Sequence, residues 1–275
     1  SLKISDSRFL AGLISSDSAA FAADPNVQYA YVDADGNLGT LPGNVVVEGD
    51  ASGQAHITAA NGGKILLVAP SITNNGALTA PDGQVLLTGG RAVYLVAPSD
   101  TRMRGLLAGV NNNAVGSVSA GTSTVTNDDF GTIDVGTGNA TLIAKAVNQN
   151  GRISATTSVT ENGSIYLIAR DGSMGGASRT KIKTASGLGT PTSTLSDNQF
   201  GGALVLGAKS VTEINPTLGD KTTTSATFNP SLIYVSGKTV RLAGDGAGHG
   251  AQIVAPGGDV VVNAIAIAAN GDGSP

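Results

Sequence analysis

The sequence of 275 residues contains no cysteine and no tryptophan, and aromatic residues make up only 4% of it. Without cysteine the chain has no disulfides and no thiolate metal sites, so its fold depends on backbone hydrogen bonds and packing. Charged residues amount to 13%, against roughly 25% in an average globular domain. The net charge of −4 argues against nucleic acid or an anionic membrane as an electrostatic partner. No apolar run reaches the ~18 residues of a transmembrane helix.

Small residues are abundant instead, with 39 glycines and 40% hydrophobic residues in the chain. This apolar content is enough for a large core, but the scarcity of rings means that small and branched aliphatic side chains must build it. Such a composition is unusual for a compact enzyme and suits an elongated fold with a narrow column of core residues. The chain begins at Ser1 without Met or a signal peptide, so we expect a mature or trimmed fragment.

A short unit of sequence recurs along the chain. Residues 78–87 (LTAPDGQVLL) align without a gap with residues 253–262 (IVAPGGDVVV). Residues 57–67 (ITAANGGKILL) contain the same unit with one extra residue. In each copy an apolar residue, a polar residue and an alanine precede a glycine-containing turn and a second apolar run. The unit therefore predicts two short strands joined by a tight corner.

These repeats have a regular spacing. Ile65 and Val85 are 20 residues apart, and so are Ile133 and Ile153. A period near 20 with two or three short strands per repeat is typical of a parallel β-helix, in which one coil cannot bury its own apolar face. We therefore predict an all-β parallel β-helix, or β-solenoid, of roughly 20-residue coils with loop or β-hairpin excursions.

The stretch at residues 69–90 predicts how one coil is built. Its corners are expected at 74–76 (NNG) and 81–83 (PDG), because Asn, Asp and Gly tolerate positive φ. The side chains expected to point inward are Leu78, Val85 and Leu87, and those expected to point outward are Thr79 and Gln84. Further β runs are predicted at 44–48, 203–206, 232–235 and 239–243.

Three segments interrupt the period, near 99–129, 171–199 and 212–229, and they are rich in Ser, Thr, Gly and Asn. We predict that they are loops or small β excursions inserted into the column. A shorter inserted turn is expected near 156–161. Residues 102–108 (RMRGLLA) are compatible with a helical turn or a strand.

Two stretches resemble the secretion domain of filamentous-haemagglutinin-type exoproteins, the passengers of bacterial two-partner secretion. The first contains residues 1–6 (SLKISD) and 8–12 (RFLAG), and the second runs from 65 to 90 and continues at Val93 and Leu95. The match is dense over residues 1–95, which makes this part secretion-domain-like. In residues 96–275 only the general style of the repeats is similar, as expected for a continuing β-helix in a single β-helix domain.

The resemblance implies a right-handed β-helix that an outer-membrane β-barrel transporter exports to the cell surface or the medium. Members of the family act as adhesins, haemolysins, haem-scavenging proteins or contact-dependent inhibition toxins. The sequence departs from the family because the amino-terminal cap and the Asn-Pro-Asn motif that precede such stretches are missing. Residues 24–26 (DPN) are at the wrong place to substitute for that motif. No residue of this chain is therefore assigned to transporter recognition.

Many right-handed β-helices are polysaccharide lyases or hydrolases, and this is the alternative function. Such enzymes need clustered carboxylates, or a carboxylate with Arg or Lys on neighbouring coils. The outward charges here are sparse: Lys145, Arg152, Arg170, Asp171, Arg241, Asp245 and Asp259. Asp171 and Asp245 each follow a β run and could share a face, but Asp at such positions is typical of corners.

No other motif predicts a catalytic, cofactor or metal site. His56 and His249 are the two histidines, and without a carboxylate cluster they make neither a triad nor a metal site. Residues 33–37 (DADGN) are similar to the start of a calcium loop, without the bidentate Glu. Residues 244–250 (GDGAGHG) lack the Lys-Ser/Thr of a phosphate-binding loop and the tandem repeat of a calcium-binding nonapeptide. The runs at 111–113 (NNN) and 222–224 (TTT) could stack as ladders, contact glycans or be exposed loop tips.

The sequence thus predicts a non-enzymatic, secreted or surface-displayed adhesin or structural exoprotein that binds a glycan or a host or bacterial surface. Because the ends of a β-helix carry unpaired backbone groups, we also expect that copies could associate end to end into filaments. Two alternatives are a polysaccharide-active β-helix enzyme and a secretion-domain fragment of a haemolysin or contact-dependent inhibition toxin.

Overall fold

The computed structural model describes residues 21–22, 30–32, 38–40, 43–90, 92–96, 105–111, 123–158, 161–170, 202–217 and 230–264. All regular structure in these residues is β, and no helix occurs in them. The strands of the amino-terminal half are β1 (Phe21–Ala22), β2 (Ala30–Val32), β3 (Leu38–Thr40), β4 (Asn44–Val47), β5 (Gly49–Asp50), β6 (Gly53–Gln54), β7 (His56–Thr58), β8 (Lys64–Ala69), β9 (Ser71–Asn74), β10 (Ala77–Thr79), β11 (Gln84–Gly89), β12 (Ala92–Val96) and β13 (Leu107–Asn111). Those of the carboxy-terminal half are β14 (Thr124–Asn127), β15 (Thr132–Asp134), β16 (Asn139–Ala144), β17 (Ala146–Gln149), β18 (Arg152–Thr157), β19 (Ser164–Ala169), β20 (Ala203–Leu206), β21 (Val211–Pro216), β22 (Leu232–Gly237), β23 (Thr239–Leu242), β24 (Gln252–Val254) and β25 (Asp259–Ala264).

Eighteen of these strands form three parallel sheets of six strands each within the described residues. The first sheet contains β4, β9, β14, β17, β20 and β23, the second β7, β10, β15, β18, β21 and β24, and the third β8, β11, β16, β19, β22 and β25. Each consecutive stretch of chain gives one strand to each sheet in this order, and we call such a stretch a coil. Coil 1 contains β4, β7 and β8, and coil 6 contains β23, β24 and β25. The predicted all-β, solenoid-like stack of parallel strands is therefore confirmed.

The register of the ladders agrees with the repeats in the sequence. Ile65 pairs with Val85 in the third sheet, and Ile133 pairs with Ile153 in the second. We use "row" for the residues that share one register position through the coils. The row that contains Leu78 in coil 2 reaches Ile253 in coil 6 through the intervening strands, as the gapless alignment of the two segments predicts.

The space between the three sheets is filled by one apolar cluster, to which every coil contributes. Alternate residues of each strand point into it. The three side chains predicted to be inward in coil 2, Leu78, Val85 and Leu87, are at most 1% exposed. Burying one such side chain contributes about 1.5–3 kcal/mol, so the stacked rows supply the main stabilisation.

The corner between the second and third sheets explains the glycine-containing turn of the repeat. Asp82 has a φ of 53° and Gly257, its counterpart in coil 6, has a φ of 75°. This left-handed conformation favours Gly and is tolerated by Asp. Gly83 lies so close to the backbone of Gly63 in the coil below that a Cβ atom would not fit between them. The corner glycines therefore allow successive coils to stack at the sheet spacing.

One antiparallel hairpin covers the outside of the third sheet. Strands β12 and β13 pair with each other, β1 adds to β12, and their buried side chains pack on outward residues of the third sheet. Gln84 was predicted to be outward and it is in an outward row, but it is only 1% exposed because this hairpin covers it. Its amide accepts from the Leu106 nitrogen (2.8 Å) and donates to the Leu106 carbonyl (2.7 Å).

The segments that interrupt the period differ in how much of them is described. The one near 99–129 contains β13 and β14, so part of it is a β excursion and part already belongs to coil 3. The one near 212–229 begins with β21, a strand of the second sheet, and residues 218–229 lie outside the described residues. The one near 171–199 lies outside them entirely, whereas near 156–161 an antiparallel bridge joins Thr157 to Asn162.

Candidate functional site

The outer face of the first sheet carries rows of short polar side chains that no described strand covers. We define this hydroxyl face by Ser71, Thr73, Thr124, Thr126 and Asn148, all of them partly exposed. The hydroxyls of Ser71 and Thr124 lie 3.2 Å apart, and Asn148 Nδ2 donates to Thr126 Oγ1 at 3.2 Å. Adjacent coils place these groups about 4.8 Å apart, in a flat uncharged array of donors and acceptors.

A buried ladder of amides supports this face from the inside. Asn74 Nδ2 donates to Asn127 Oδ1 at 2.8 Å, and Asn127 Nδ2 donates to Gln149 Oε1 at 2.8 Å. Gln149 Nε2 in turn donates to the carbonyl of Val211 at 3.2 Å. All three amide side chains are fully buried. A satisfied buried network of this kind fixes strand register, so the hydroxyl face is rigid.

The second sheet brings one charged pair together on neighbouring coils. Arg152 of coil 4 forms an ion pair with Glu213 of coil 5, whose side chain is only 11% exposed. Ser154 Oγ donates to the same carboxylate oxygen at 3.0 Å. Arg152 was among the predicted outward charges, but Glu213 was not, since it falls in a segment predicted to be an excursion. The carboxylate is engaged by both partners and has the surroundings of a structural ion pair.

The loop at 244–250 is a self-contained turn held by Asp245. Its carboxylate accepts from the nitrogens of Ala247 (2.7 Å) and His249 (3.1 Å), and its Oδ2 lies 2.5 Å from Nδ1 of His249. An antiparallel bridge between Gly244 and Gly250 closes the loop. The hydrogen bond from Ala247, followed by that from the His249 side chain, lowers the pKa of Asp245 from its usual value of 3.8. Asp245 is a turn residue here, as its position after a β run predicts.

The remaining sequence motifs have no described site. His56 is exposed on β7. Asp171 and residues 33–37, 112–113 and 222–224 lie outside the described residues, and Asn111 is the last residue of β13. In the part of the chain that the structure describes, no group of three His, Asp or Glu side chains could hold a metal ion. Nor does that part contain a helix long and apolar enough to span a membrane.

The two ends of the stack present a second kind of surface. In coil 6 the side chains of Leu242, Val260 and Val262 are 49%, 45% and 48% exposed, although they occupy inward rows. At the other end, Ile57 of coil 1 is 37% exposed in the row of the buried Leu78. Among the described strands, these side chains have no further coil on their outer side, whereas their counterparts in the middle of the stack have a coil on both sides.

No family model, no curated protein and no solved structure matches this chain.

Proposed function

We propose that this protein is a non-enzymatic adhesin or structural exoprotein of the two-partner secretion type. In this proposal it is exported through an outer-membrane transporter, lives on the bacterial surface or in the medium, and folds there as a right-handed parallel β-helix. Its lateral surface binds a glycan or another cell-surface ligand, and its ends allow copies to join into filaments. The resemblance of residues 1–95 to a two-partner secretion domain supports this route of export.

The observation that carries the proposal is the hydroxyl face. Its five side chains repeat at the strand spacing through coils 2 to 4, none of the five is charged, and the amide ladder beneath them holds them in place. Hydroxyl and amide groups are both donors and acceptors, as are the hydroxyls of a neutral polysaccharide. A preorganised array loses little conformational entropy on binding, which favours recognition of a repeating polymer.

A binding experiment tests this face against a matched surface of the same protein. The double variant Thr73→Val and Thr126→Val removes two hydroxyls of the hydroxyl face and keeps the β-branched shape. The control variant is Thr79→Val with Thr132→Val, two partly exposed residues on the outer rows of the second sheet. On an array of neutral bacterial and host polysaccharides, we expect the first variant to bind at least tenfold more weakly and the control to bind normally. Equal binding by both variants would overturn the assignment of this face.

Export is tested separately, in a bacterium that expresses the chain behind a cleavable signal peptide together with a two-partner transporter. We expect the full chain in the medium or on the surface, and a chain lacking residues 1–95 to stay in the periplasm. If export does not depend on these residues, the secretion-domain part of the proposal is wrong.

The enzymatic alternative depends on the Arg152–Glu213 pair, the described site that unites a carboxylate with a guanidinium on adjacent coils. Acidic polysaccharides incubated with the protein should show no new reducing or unsaturated ends. Turnover that is lost in Glu213→Gln or Asp245→Asn would replace the proposal by a polysaccharide-active enzyme.

A further inference from the structure

The polar surface of the hydroxyl face is short along the axis of the stack. From coil 1 to coil 6, one of its two outward rows consists of Val46, Thr73, Thr126, Asn148, Val205 and Arg241. The other row consists of Asn44, Ser71, Thr124, Ala146, Ala203 and Thr239. In each row the uncharged polar residues fill three successive coils, about 10 Å at the strand spacing, before valine or alanine follows. A polymer that ran along the column would therefore soon leave the polar surface.

Across the column, the polar surface continues past the ends of the strands. The residues that directly follow β9, β14 and β17 are partly exposed and polar: Asn75, Asp128 and Asn150. Asn150 Nδ2 donates to Asp128 Oδ1 at 3.2 Å, which links coils 4 and 3 at the corner between the first and second sheets. From Thr124 to Asp128 the outer face already extends for about 13 Å, and the corner lies beyond it.

The corner of coil 3 is longer than the corners beside it. Four residues separate β14 from β15, whereas two separate β9 from β10 in coil 2 and two separate β17 from β18 in coil 4. The extra residues form a turn in which the Gly131 nitrogen donates to the Asp128 carbonyl at 2.7 Å. Asp129 and Phe130 are the central residues of this turn, so they project from the column.

Phe130 places a ring at this edge of the hydroxyl face. It is 44% exposed, and it is the aromatic residue among the exposed large apolar side chains of the described residues. Its carbonyl accepts from Gln54 Nε2, which comes from the β5–β6 hairpin of coil 1. The turn is therefore held in place from two sides, and a ligand that packs on it loses little conformational entropy.

We infer that a neutral polysaccharide crosses the column along the strands of coils 3 and 4, with one sugar ring packed on Phe130. This inference rests on the proposed function, because it specifies how the polymer lies on the hydroxyl face. The C–H groups on one side of a pyranose ring pack on the electron-rich face of an aromatic ring. The hydroxyls of the neighbouring sugars then bond with Thr126 and Asn148, which are both donors and acceptors.

Two carboxylates beside the ring restrict the class of polymer. Asp128 and Asp129 directly precede Phe130, and Asp129 is exposed. The cations of the next two corners face other acidic groups: Arg152 pairs with a carboxylate of the second sheet, and the charge of Lys209 acts on the loop of coil 6. Like charges in contact are unfavourable, so this edge disfavours uronic acids and accepts sugars without a negative charge.

Two alanine variants distinguish a polymer that crosses the column from one that follows it. Phe130→Ala removes the ring, and Val46→Ala removes a 53% exposed side chain where the polar row ends along the axis. Affinity electrophoresis in gels with a soluble β-glucan or galactomannan measures binding. We expect Phe130→Ala to bind about tenfold more weakly and Val46→Ala to bind normally. Urea unfolding should be unchanged in both variants, since both side chains are exposed.

A tryptophan reporter locates the contact, because the chain has no tryptophan of its own. Phe130→Trp keeps a flat ring, and its fluorescence should shift to shorter wavelength when the β-glucan or galactomannan covers it. Val46→Trp is the control, and its fluorescence should stay the same. A response at position 46 without one at position 130 would mean that the polymer follows the column, which overturns the inference.

The choice of a neutral polymer is tested with polygalacturonate as the acidic probe. The original protein should bind it more weakly than the neutral polymers, and Asp129→Asn should reduce this difference. Asp134→Asn is the control, because it makes the same charge change at an exposed position on the second sheet of the same coil. Stronger binding of polygalacturonate than of the neutral polymers by the original protein would overturn the assignment.

The outcomes also separate this inference from the proposed function. Binding that is weakened in Thr73→Val with Thr126→Val but normal in Phe130→Ala would overturn the role of the ring and leave the adhesin function in place. If the original protein bound none of the neutral polysaccharides on the array, the proposed function would be wrong, and this inference with it.

Discussion

The middle coils and the end coils of the stack use the same kinds of side chain in different ways. In the middle, polar side chains bond from coil to coil: Asp82 of coil 2 accepts from Thr137 of coil 3, through its nitrogen (3.0 Å) and its hydroxyl (2.8 Å). In the end coils two carboxylates bond within their own loops, Asp50 with Ser52 (2.5–2.7 Å) and Asp245 with Ala247 (2.7 Å), while Gln54 of coil 1 donates to the Asn75 carbonyl of coil 2 (3.2 Å). Within the described strands an end coil has a neighbour on one side only, and these two carboxylates stabilise its loops locally.

The apolar rows show the same difference. Leu142 in coil 3 is fully buried, whereas Leu242 in coil 6 is 49% exposed, although both occupy inward rows. In a solenoid the stability of a coil is the sum of its own terms and those of its interfaces with the neighbouring coils. Within the described stack, we therefore expect the end coils to be less stable than the middle coils.

The largest effect is expected when one leucine is replaced in a middle coil and one in an end coil. Leu142→Ala opens a cavity in the middle of the core and should lower the free energy of unfolding by about 2–5 kcal/mol. Leu242→Ala removes a half-exposed side chain and should cost less than about 1 kcal/mol. Urea unfolding at a protein concentration too low for assembly measures both. Equal losses would mean that coil 6 is as well packed as coil 3.

The next test concerns the amide ladder, which runs through coils 2 to 4 while its row is apolar at Val47, Leu206 and Leu242. Asn127→Ala leaves the buried amides of Asn74 and Gln149 without their partner. We expect a loss of about 2–3 kcal/mol in the free energy of unfolding, since unsatisfied buried polar groups are costly. Thr126→Ala, one residue away on the outside, should change stability by no more than about 0.5 kcal/mol. An unchanged free energy of unfolding in Asn127→Ala would show that the ladder does not stabilise the coils.

A stabilising change is expected where a polar side chain interrupts an apolar row. Thr212 of coil 5 lies between Ile153 and Ile253, is fully buried, and its hydroxyl has no hydrogen-bond partner in the described part of the chain. Thr212→Val should raise the free energy of unfolding by about 1 kcal/mol. Thr79→Val, on an outward row, is the control and should have little effect. A loss of stability in Thr212→Val would indicate that the hydroxyl binds a buried water.

Much of the fold could be predicted because one coil repeats in the sequence. The spacing from Ile65 to Val85 is the distance along the chain between two residues that pair in neighbouring coils. Leu78, Val85 and Leu87 point inward because side chains alternate between the two faces of a β-strand. The glycine-containing corners could be predicted as well, since positive φ restricts the choice of residue at Asp82 and Gly257.

Contacts between coils could not be predicted in the same way, because they depend on the lengths of the inserted segments. Arg152 and Glu213 are 61 residues apart, far more than one repeat, so the period of the sequence does not place them on adjacent coils. Gln84 has the pattern of an outward residue, and its burial depends on a hairpin with no counterpart in the repeat. The hydroxyl face could not be predicted for another reason. Outward Ser and Thr residues have the same sequence pattern in all three sheets, and only the structure shows which outer face other strands cover.

The smallest effect is expected in the loop of coil 6 that the hydrogen bonds of Asp245 hold together. Because hydrogen bonds in the native loop lower the pKa of Asp245 below 3.8, the contribution of this carboxylate to stability is fully present above that value. It is lost as the pH falls through the lowered pKa of the folded state. Carboxyl NMR should show a titration midpoint below 3.8, together with a change at the His249 ring, and both should disappear in Asp245→Asn. A midpoint at 3.8 or above would mean that the loop is open in solution and that coil 6 lacks the local hydrogen bonds that distinguish it from the middle coils.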